Sequence, residues 1–100
     1  MKDFIIYPKA EKFLKKIKDK QLKEKFYKAI DEICDNPHIG EAKKGDLQGI
    51  FCKDVYHAGI NYEVAYKIVG EEIEIIYIIL AGVRGNFYEE LKRYLKELDF

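Results

Sequence analysis

The segment NYEVAYKIVGEEIEIIYIIL, residues 61–80, decides how this sequence folds. Two runs rich in β-branched and aromatic residues, 61–69 and 73–81, flank the polar turn Gly70-Glu71-Glu72. Residues of this kind favour strands, and a short polar connection between two such runs is typical of an antiparallel pair. The second run is apolar on both faces apart from Glu74, which predicts a central strand.

Two further strand-like runs lie before this segment. Residues 47–56 precede the break His57-Ala58-Gly59, so three consecutive strands are expected to form a meander. Near the N-terminus, residues 2–7 alternate loosely and are rich in Phe, Ile and Tyr, which predicts one more strand.

Between the first strand and the meander the periodicity is helical. Pro8 suits a first helical turn, and it is followed at helical spacing by Ala10, Phe13, Leu14 and Ile17. Asp19 can cap a second helix, whose apolar face comprises Leu22, Phe26, Ala29, Ile30, Ile33 and Cys34. This helix is expected to end at Asn36-Pro37, because proline disfavours helical geometry in the residue before it. The two helices are interpreted as an antiparallel hairpin.

A last helix is predicted over Phe87, Leu91, Leu95 and Leu98. Asn86 followed by Glu89 resembles a capping box and marks its start. The chain is therefore predicted to be a single α+β domain, residues 1–100. Its order is an N-terminal strand, an α-helical hairpin packed on an antiparallel β-meander, and a short C-terminal helix.

Composition restricts the class of protein. Aromatic residues are plentiful, which argues against disorder, and no uncharged apolar run is long enough to predict a membrane span. The segment before Pro8 is too short for a signal peptide. Cys34 and Cys52 lie far apart without metal-ligand spacing, so we interpret them as reduced cysteines and expect a cytoplasmic protein.

The net charge is zero, but the charges are unevenly distributed. Residues 1–30 contain ten lysines and four acids, whereas residues 31–100 contain eight bases and fourteen acids. The basic first third indicates either a surface for nucleic acid or an acidic partner, or a solvated helix surface without a specific partner.

Four segments, in this order, are similar to the motifs of one family. They are YPKAEKFL (7–14), DNP (35–37) with Gly40, KGDLQGIF (44–51), and NYEVAYKI (61–68) with ILAGVR (79–84) and the following Phe87-Tyr88. Together they resemble the RelE/ParE superfamily, the toxins of type II toxin–antitoxin systems. The resemblance covers nearly the whole chain and implies the same order of strands and helices.

The resemblance implies one of two activities. Most branches of the family cleave mRNA, usually in the ribosomal A site and without a metal, by attack of the ribose 2′-hydroxyl on the adjacent phosphate. The ParE branch instead poisons DNA gyrase. In both, a cognate antitoxin wraps the toxin. We interpret the chain as a metal-independent, ribosome-dependent mRNA endonuclease that needs no cofactor. A gyrase-directed toxin without catalysis, and a binding module of the same fold with little activity, are the alternatives.

Two candidate catalytic residues follow from the resemblance. Arg84 lies where the family has a basic residue after its last strand, and a guanidinium can bind two phosphate oxygens. Tyr88 lies at the family's terminal aromatic position, where a phenol can stack on a base or transfer a proton. A surface ion pair for Arg84 and helix packing for Tyr88 are the alternative roles.

The RNA-binding candidates are Lys43, Lys44, Lys53 and Asn86. The lysines lie in or beside the first strand of the meander, where nuclease branches carry basic side chains. Asn86 lies at a helix N-terminus, which can receive a phosphate. For the lysines the alternative is a solvated surface position, and for Asn86 it is the helix cap alone.

Glu63 departs from the family pattern, because nuclease branches often have an arginine after the first tyrosine of this strand. A carboxylate there repels a phosphate unless it acts as the general base that takes the 2′-hydroxyl proton. The alternative role is a cross-strand partner for a lysine.

Overall fold

The computed structural model describes residues 3–99, and its strands form one five-stranded sheet. The strands are β1 (Asp3–Ile6), β2 (Glu41–Ala42), β3 (Ile50–His57), β4 (Ile60–Val69) and β5 (Ile75–Val83). Their spatial order is β1-β5-β4-β3-β2, with β1 parallel to β5 and every other pair antiparallel. The predicted meander is therefore confirmed, and β5 lies between β1 and β4 as its two apolar faces predicted.

Three helices cover the two faces of this sheet: α1 (Pro8–Lys16), α2 (Lys20–Asp35) and α3 (Phe87–Leu98). The predicted cap of α2 is confirmed, because Asp19 Oδ1 accepts hydrogen bonds from the backbone N–H groups of Gln21 (2.9 Å) and Leu22 (3.3 Å). The helix ends at Asp35, immediately before Asn36-Pro37. No helix among residues 3–99 is long and apolar enough to cross a membrane.

Strand alternation divides the core into two clusters. On one face the α1–α2 hairpin packs against Val55, Tyr62, Val64, Tyr66, Ile76 and Ile78. On the other face α3 packs against Ile50, Cys52, Ala65, Ile79 and Leu80. Successive side chains of a strand point to opposite faces, so the register of β3–β5 fixes which polar residues share the face with α3.

Several details differ from the sequence predictions, among them that β5 runs over Ile75–Val83 and not over 73–81. The strand β2 was not predicted; it is two residues long and lies between two 3₁₀ turns, Pro37–Ile39 and Gly45–Leu47. Leu47 consequently belongs to a turn, and β3 begins at Ile50. Asn86 occupies the N-cap position of α3, but its side chain makes no capping hydrogen bond, so the predicted capping box is wrong. Its backbone has ψ near 14°, outside the extended conformation that usually aims a capping side chain at the helix.

The turn between β3 and β4 is held against the connection between α1 and α2. His57 Nε2 lies 3.0 Å from Asp19 Oδ2, and Lys25 Nζ donates a 3.1 Å hydrogen bond to the carbonyl oxygen of Tyr56. These contacts fix the end of the hairpin that β3 and β4 form.

Candidate active site

The site is built on the sheet face that α3 covers. Glu63 in β4 pairs with Asp54 of β3 and with Gly82 of β5. Directly opposite residues share a face, and Ala65, two residues further along β4, packs in the α3-side cluster. Glu63 therefore points towards α3, and its side chain is only 2% exposed.

Tyr88, in the first turn of α3, reaches this carboxylate. Its hydroxyl donates a 2.6 Å hydrogen bond to Glu63 Oε1. The other oxygen, Oε2, is buried and has no hydrogen-bond partner within residues 3–99. A buried carboxylate oxygen without a donor is costly and uncommon, and such groups often belong to functional sites.

Two cations flank the Tyr88–Glu63 pair. Arg84 Nε lies 3.8 Å from Glu63 Oε2, an ion-pair distance too long for a hydrogen bond, and the Arg84 side chain is 59% exposed. Lys43, which directly follows β2, places Nζ 4.8 Å from the centroid of the Tyr88 ring and also donates a hydrogen bond to Glu41 Oε1. The site thus contains one buried acid, one phenol and two positive charges, with the exposed carboxylates of Glu41 on Lys43 and of Asp54 opposite Glu63 at its edge.

The surroundings of these groups determine their protonation. Burial, together with the hydrogen bond to Glu63, raises the pKa of Tyr88 to about 12, so the phenol is protonated at neutral pH. Burial alone would lower the pKa of Lys43, but hydrogen bonds to Glu41 and Tyr88 outweigh it and raise that pKa above its usual value. Burial, and then the charge of Glu63, raises the pKa of the nearby Cys52 thiol to about 12. Cys52 is therefore a neutral thiol and a poor nucleophile, whereas Tyr88 is suited to donate a proton.

The structure brings together four of the residues proposed from the sequence: Glu63, Arg84, Tyr88 and Lys43. Lys44 is exposed beside Lys43, at the start of the second 3₁₀ turn. Asn86 is exposed between Arg84 and Tyr88, at the N-terminus of α3. These two residues therefore flank the four-residue site in the sequence.

Lys53 is not brought to the site. Cys52 packs on the α3 side of the sheet and Val55 on the hairpin side, so alternation directs the side chain of Lys53 to the hairpin face. An RNA strand bound at Glu63 would lie on the opposite side of the sheet from Lys53.

Sequence reasoning missed Glu41, which holds Lys43, because β2 was not predicted. It also missed Asn61, although the signal was present. The two-residue turn Ala58-Gly59 fixes the register of β3 and β4. Because side chains two residues apart in a strand point to the same face, Asn61 is predicted to lie on the same face as Glu63. Within residues 3–99, no three His, Cys, Asp or Glu side chains lie close enough together to hold a metal ion.

Solved structures share this fold. A double mutant of the Escherichia coli toxin RelE in its free state superposes with a TM-score of 0.74, covering 99% of this chain and 98% of that one at 15% identity. A chain of the intact E. coli RelBE toxin–antitoxin complex superposes with a TM-score of 0.66, covering 82% of this chain and 95% of that one at 18% identity. At 15% and 18% sequence identity, these superpositions show that the fold is shared and nothing about function.

Sequence comparison identifies the family. A RelE-like toxin protein of E. coli is 35% identical over 69 residues, which are 66% of each chain, just under two thirds of that relative. The family model of ParE-like toxins matches residues 4–92, almost the whole chain. The protein belongs to the ParE-like toxin family of type II bacterial toxin–antitoxin systems.

Proposed function

We propose that this protein is a toxin that stops translation by cutting mRNA on the ribosome, without a metal ion. The observation that carries the proposal is the hydrogen bond from Tyr88 to Glu63 with Arg84 and Lys43 beside it. Cleavage by a 2′-hydroxyl needs a base, an acid and positive charge near the phosphate, and these four residues supply all three.

In the proposed reaction Glu63 is the general base. Its carboxylate takes the proton of the 2′-hydroxyl while that oxygen forms a bond to the adjacent phosphorus. Oε2 suits this role because it accepts no hydrogen bond from the described residues, whereas Oε1 already accepts one from Tyr88. Oε2 is buried, so the exposed Arg84 side chain must shift towards the phosphate to admit the 2′-hydroxyl. Arg84, close to Oε2 and mostly exposed, stabilises the additional negative charge on the phosphate oxygens.

Tyr88 is the general acid. As the bond between phosphorus and the 5′ oxygen breaks, the phenol gives its proton to that oxygen, leaving a 2′,3′-cyclic phosphate and a 5′-hydroxyl. Lys43 above the ring stabilises the resulting phenolate. Once the products leave, Glu63 releases the proton that it took and Tyr88 takes one up from solvent, which restores the starting state and the 2.6 Å hydrogen bond to Oε1.

The ribosome supplies what the toxin lacks. A net charge of zero gives little long-range attraction for a polyanion, so free RNA binds weakly and more weakly still as salt rises. A codon held stationary on the ribosome is already aligned, and alignment can lower a barrier by several kcal/mol.

The test compares the cutting of one transcript with and without stalled ribosomes, each with and without EDTA at a magnesium level that keeps ribosomes intact. We expect 2′,3′-cyclic phosphate ends only with ribosomes, and no effect of EDTA on the toxin. Glu63→Gln, which preserves the shape of the side chain, is the matched inactive control. Efficient cutting of free RNA, or dependence on an added transition metal, would contradict the mechanism.

One observation favours a gyrase-directed toxin instead. Glu63 occupies the position where nuclease branches often have an arginine, and it is almost fully buried. Mapping of transcript 5′ ends shortly after induction separates the two functions. Breaks within translated codons support the nuclease, whereas intact transcripts with trapped double-strand DNA breaks support gyrase.

The partner that we propose for this toxin is an acidic antitoxin segment bound along the α1–α2 hairpin. Exposed lysines line the outer side of the hairpin, among them Lys12, Lys16, Lys18, Lys20 and Lys28. Charge complementarity of this kind accelerates association and selects the partner.

A further inference from the structure

We infer that the candidate active site extends along the sheet to a base-stacking subsite, formed by Tyr56 with Asn61 beside it, for the nucleotide next to the cut. The inference rests on the proposed function, because the ligand of the subsite is the RNA strand that the toxin cleaves. Tyr56 has no role in the chemistry described above; it is a substrate-binding residue.

The register of three strands places the subsite next to the site. Tyr56 of β3 pairs with Asn61 of β4, and the backbone N–H of Arg84 donates a 3.0 Å hydrogen bond to the carbonyl oxygen of Asn61. These three residues therefore form one row across the sheet. The neighbouring row on the same face is Asp54, Glu63 and Gly82.

Alternation places the Tyr56 side chain on the same face as Glu63. Cys52 packs on the α3 side, and Tyr56 lies four residues further along the strand, in phase with it. Adjacent strands are about 4.8 Å apart, so Tyr56 and Arg84 are separated by about 10 Å across β4. One nucleotide of an extended strand can bridge this distance, with its phosphate at Arg84 and a neighbouring base at Tyr56.

The Tyr56 ring is available for such a base. It is 66% exposed, a larger fraction than any other aromatic side chain among residues 3–99. A tyrosine ring on a sheet surface is a usual platform for an unstacked base, and stacking tolerates any base because each has a π face.

The backbone under the ring is held in place. Lys25 Nζ binds the carbonyl oxygen of Tyr56, and the contact between His57 and Asp19 fixes the next residue. A platform positioned before the ligand arrives loses less entropy on binding. Asn61 Oδ1 is buried without a hydrogen-bond partner in the described part of the chain, which gives this row an acceptor for a polar group of the nucleotide.

Fluorescence tests the subsite directly, because the chain contains no tryptophan. Tyr56→Trp introduces a single fluorophore at the platform, and Tyr27→Trp places one on α2, at a side chain that is also exposed, as the matched control. The probe is an RNA hexamer with 2′-O-methyl sugars, which bind but cannot attack the phosphate. We expect the hexamer to quench the Tyr56→Trp fluorophore at low salt and to leave the Tyr27→Trp fluorophore unchanged.

Two further measurements make the test specific. A hexamer with an abasic residue at one position should no longer quench, which identifies the stacked base. Tyr56→Ala should bind a labelled hexamer about tenfold more weakly than the wild type, and Tyr56→Phe should bind it as tightly as the wild type.

The outcomes separate the subsite from the nuclease. Absence of quenching, with equal affinities for the wild type and Tyr56→Ala, overturns the subsite even if the toxin cuts mRNA on ribosomes. Quenching that depends on one base supports the subsite, even if no ribosome-dependent cutting is found and the proposed nuclease fails.

Discussion

The hydroxyl of Tyr88 donates a 2.6 Å hydrogen bond to Glu63 Oε1, joining the first turn of α3 to β4. The contact links two residues that lie 25 positions apart in the chain. It gives a buried carboxylate a donor, and in the proposed reaction it places the acid and the base within one proton transfer of each other.

Tyr88→Phe should reduce both stability and activity. The change leaves the buried Glu63 carboxylate without its hydroxyl donor, which should lower the free energy of unfolding by about 1–3 kcal/mol. Loss of the general acid should slow cleavage by about 100-fold or more. Urea unfolding and ribosomal cleavage rates measure the two effects.

Adding Glu63→Gln to Tyr88→Phe should recover part of the stability and none of the activity. Equal stability of Tyr88→Phe and the wild type would mean that the hydrogen bond is absent in solution.

The ionisation of Tyr88 should be visible at high pH. Its pKa in the folded protein is raised to about 12, above the usual value near 10, so its contribution to stability is complete below pH 10 and is lost as the pH rises towards 12. The ultraviolet difference titration of the wild type minus Tyr88→Phe should show one tyrosine that ionises in this upper range. A difference curve centred near pH 10 would contradict the burial of the hydroxyl.

Arg84→Ala should remove most toxicity while the fold stays intact. Loss of a charge that stabilises the transition state costs about 3 kcal/mol, or roughly 100-fold in rate. The effect on stability should stay below about 1 kcal/mol, because the side chain is more than half exposed.

Arg93→Ala is the control with the same change of charge, because Arg93 is also exposed but lies in α3, away from Glu63 in the sequence. Growth after induction and thermal unfolding measure the two effects. Full toxicity of a folded Arg84→Ala variant would exclude this site.

Asp19→Asn should change how stability depends on pH. The hydrogen bond from His57, followed by that from the Leu22 amide, lowers the pKa of Asp19 below its ordinary 3.8. A lowered pKa stabilises the folded state above pH 3.8, and this contribution disappears as the pH falls through the lower folded value.

Asparagine can still cap α2, so the Asp19→Asn variant removes the charge and keeps the cap. The melting temperatures of the two proteins should differ at neutral pH and converge in acid. A constant difference across the pH range would show that the pair with His57 contributes nothing.

A small gene next to this one should encode the antitoxin. Expressed together with a tagged toxin, its product should copurify and suppress toxicity, because an acidic segment can cover the lysines of α1 and α2. Replacing Lys12, Lys16 and Lys20 with glutamine should weaken the complex more than replacing Lys92 and Lys96 on α3. If toxin expressed alone is harmless and no small gene adjoins it, the assignment as a toxin fails.

Long, regular features of the fold could be predicted from the sequence. The apolar faces of β5, the Asp19 cap and the stop at Asn36-Pro37 each depend on local chemistry, and the structure confirms all three. The strand β2 could not be predicted, because two residues carry no periodicity and pair only once β3 is in place.

The site was predicted less completely than the fold. Arg84, Tyr88 and Glu63 are candidates proposed from family motifs, but the burial of Glu63 depends on how α3 docks, which the local sequence does not encode. The face of the sheet on which Lys53 lies could be predicted, because strand alternation directs its side chain to the face opposite that of Cys52 and Glu63. The register of the β3–β4 hairpin, which the two-residue turn fixes, predicts which side chains share the face with Glu63.

Exposed lysines lie on the α1–α2 hairpin, whereas residues 31–100 contain fourteen acids and eight bases, so this molecule without net charge is an electric dipole with its positive end at the hairpin. A field from a polyanion exerts a torque on such a molecule even where it exerts little net pull. The torque turns the hairpin towards the polyanion, and so turns the opposite face of the sheet, which carries the candidate active site, away from it. The nucleic acid that orients the protein and the strand that enters the candidate active site must then be different segments. A particle that presents a large, fixed RNA surface beside a single exposed codon satisfies that requirement, and a lone transcript does not.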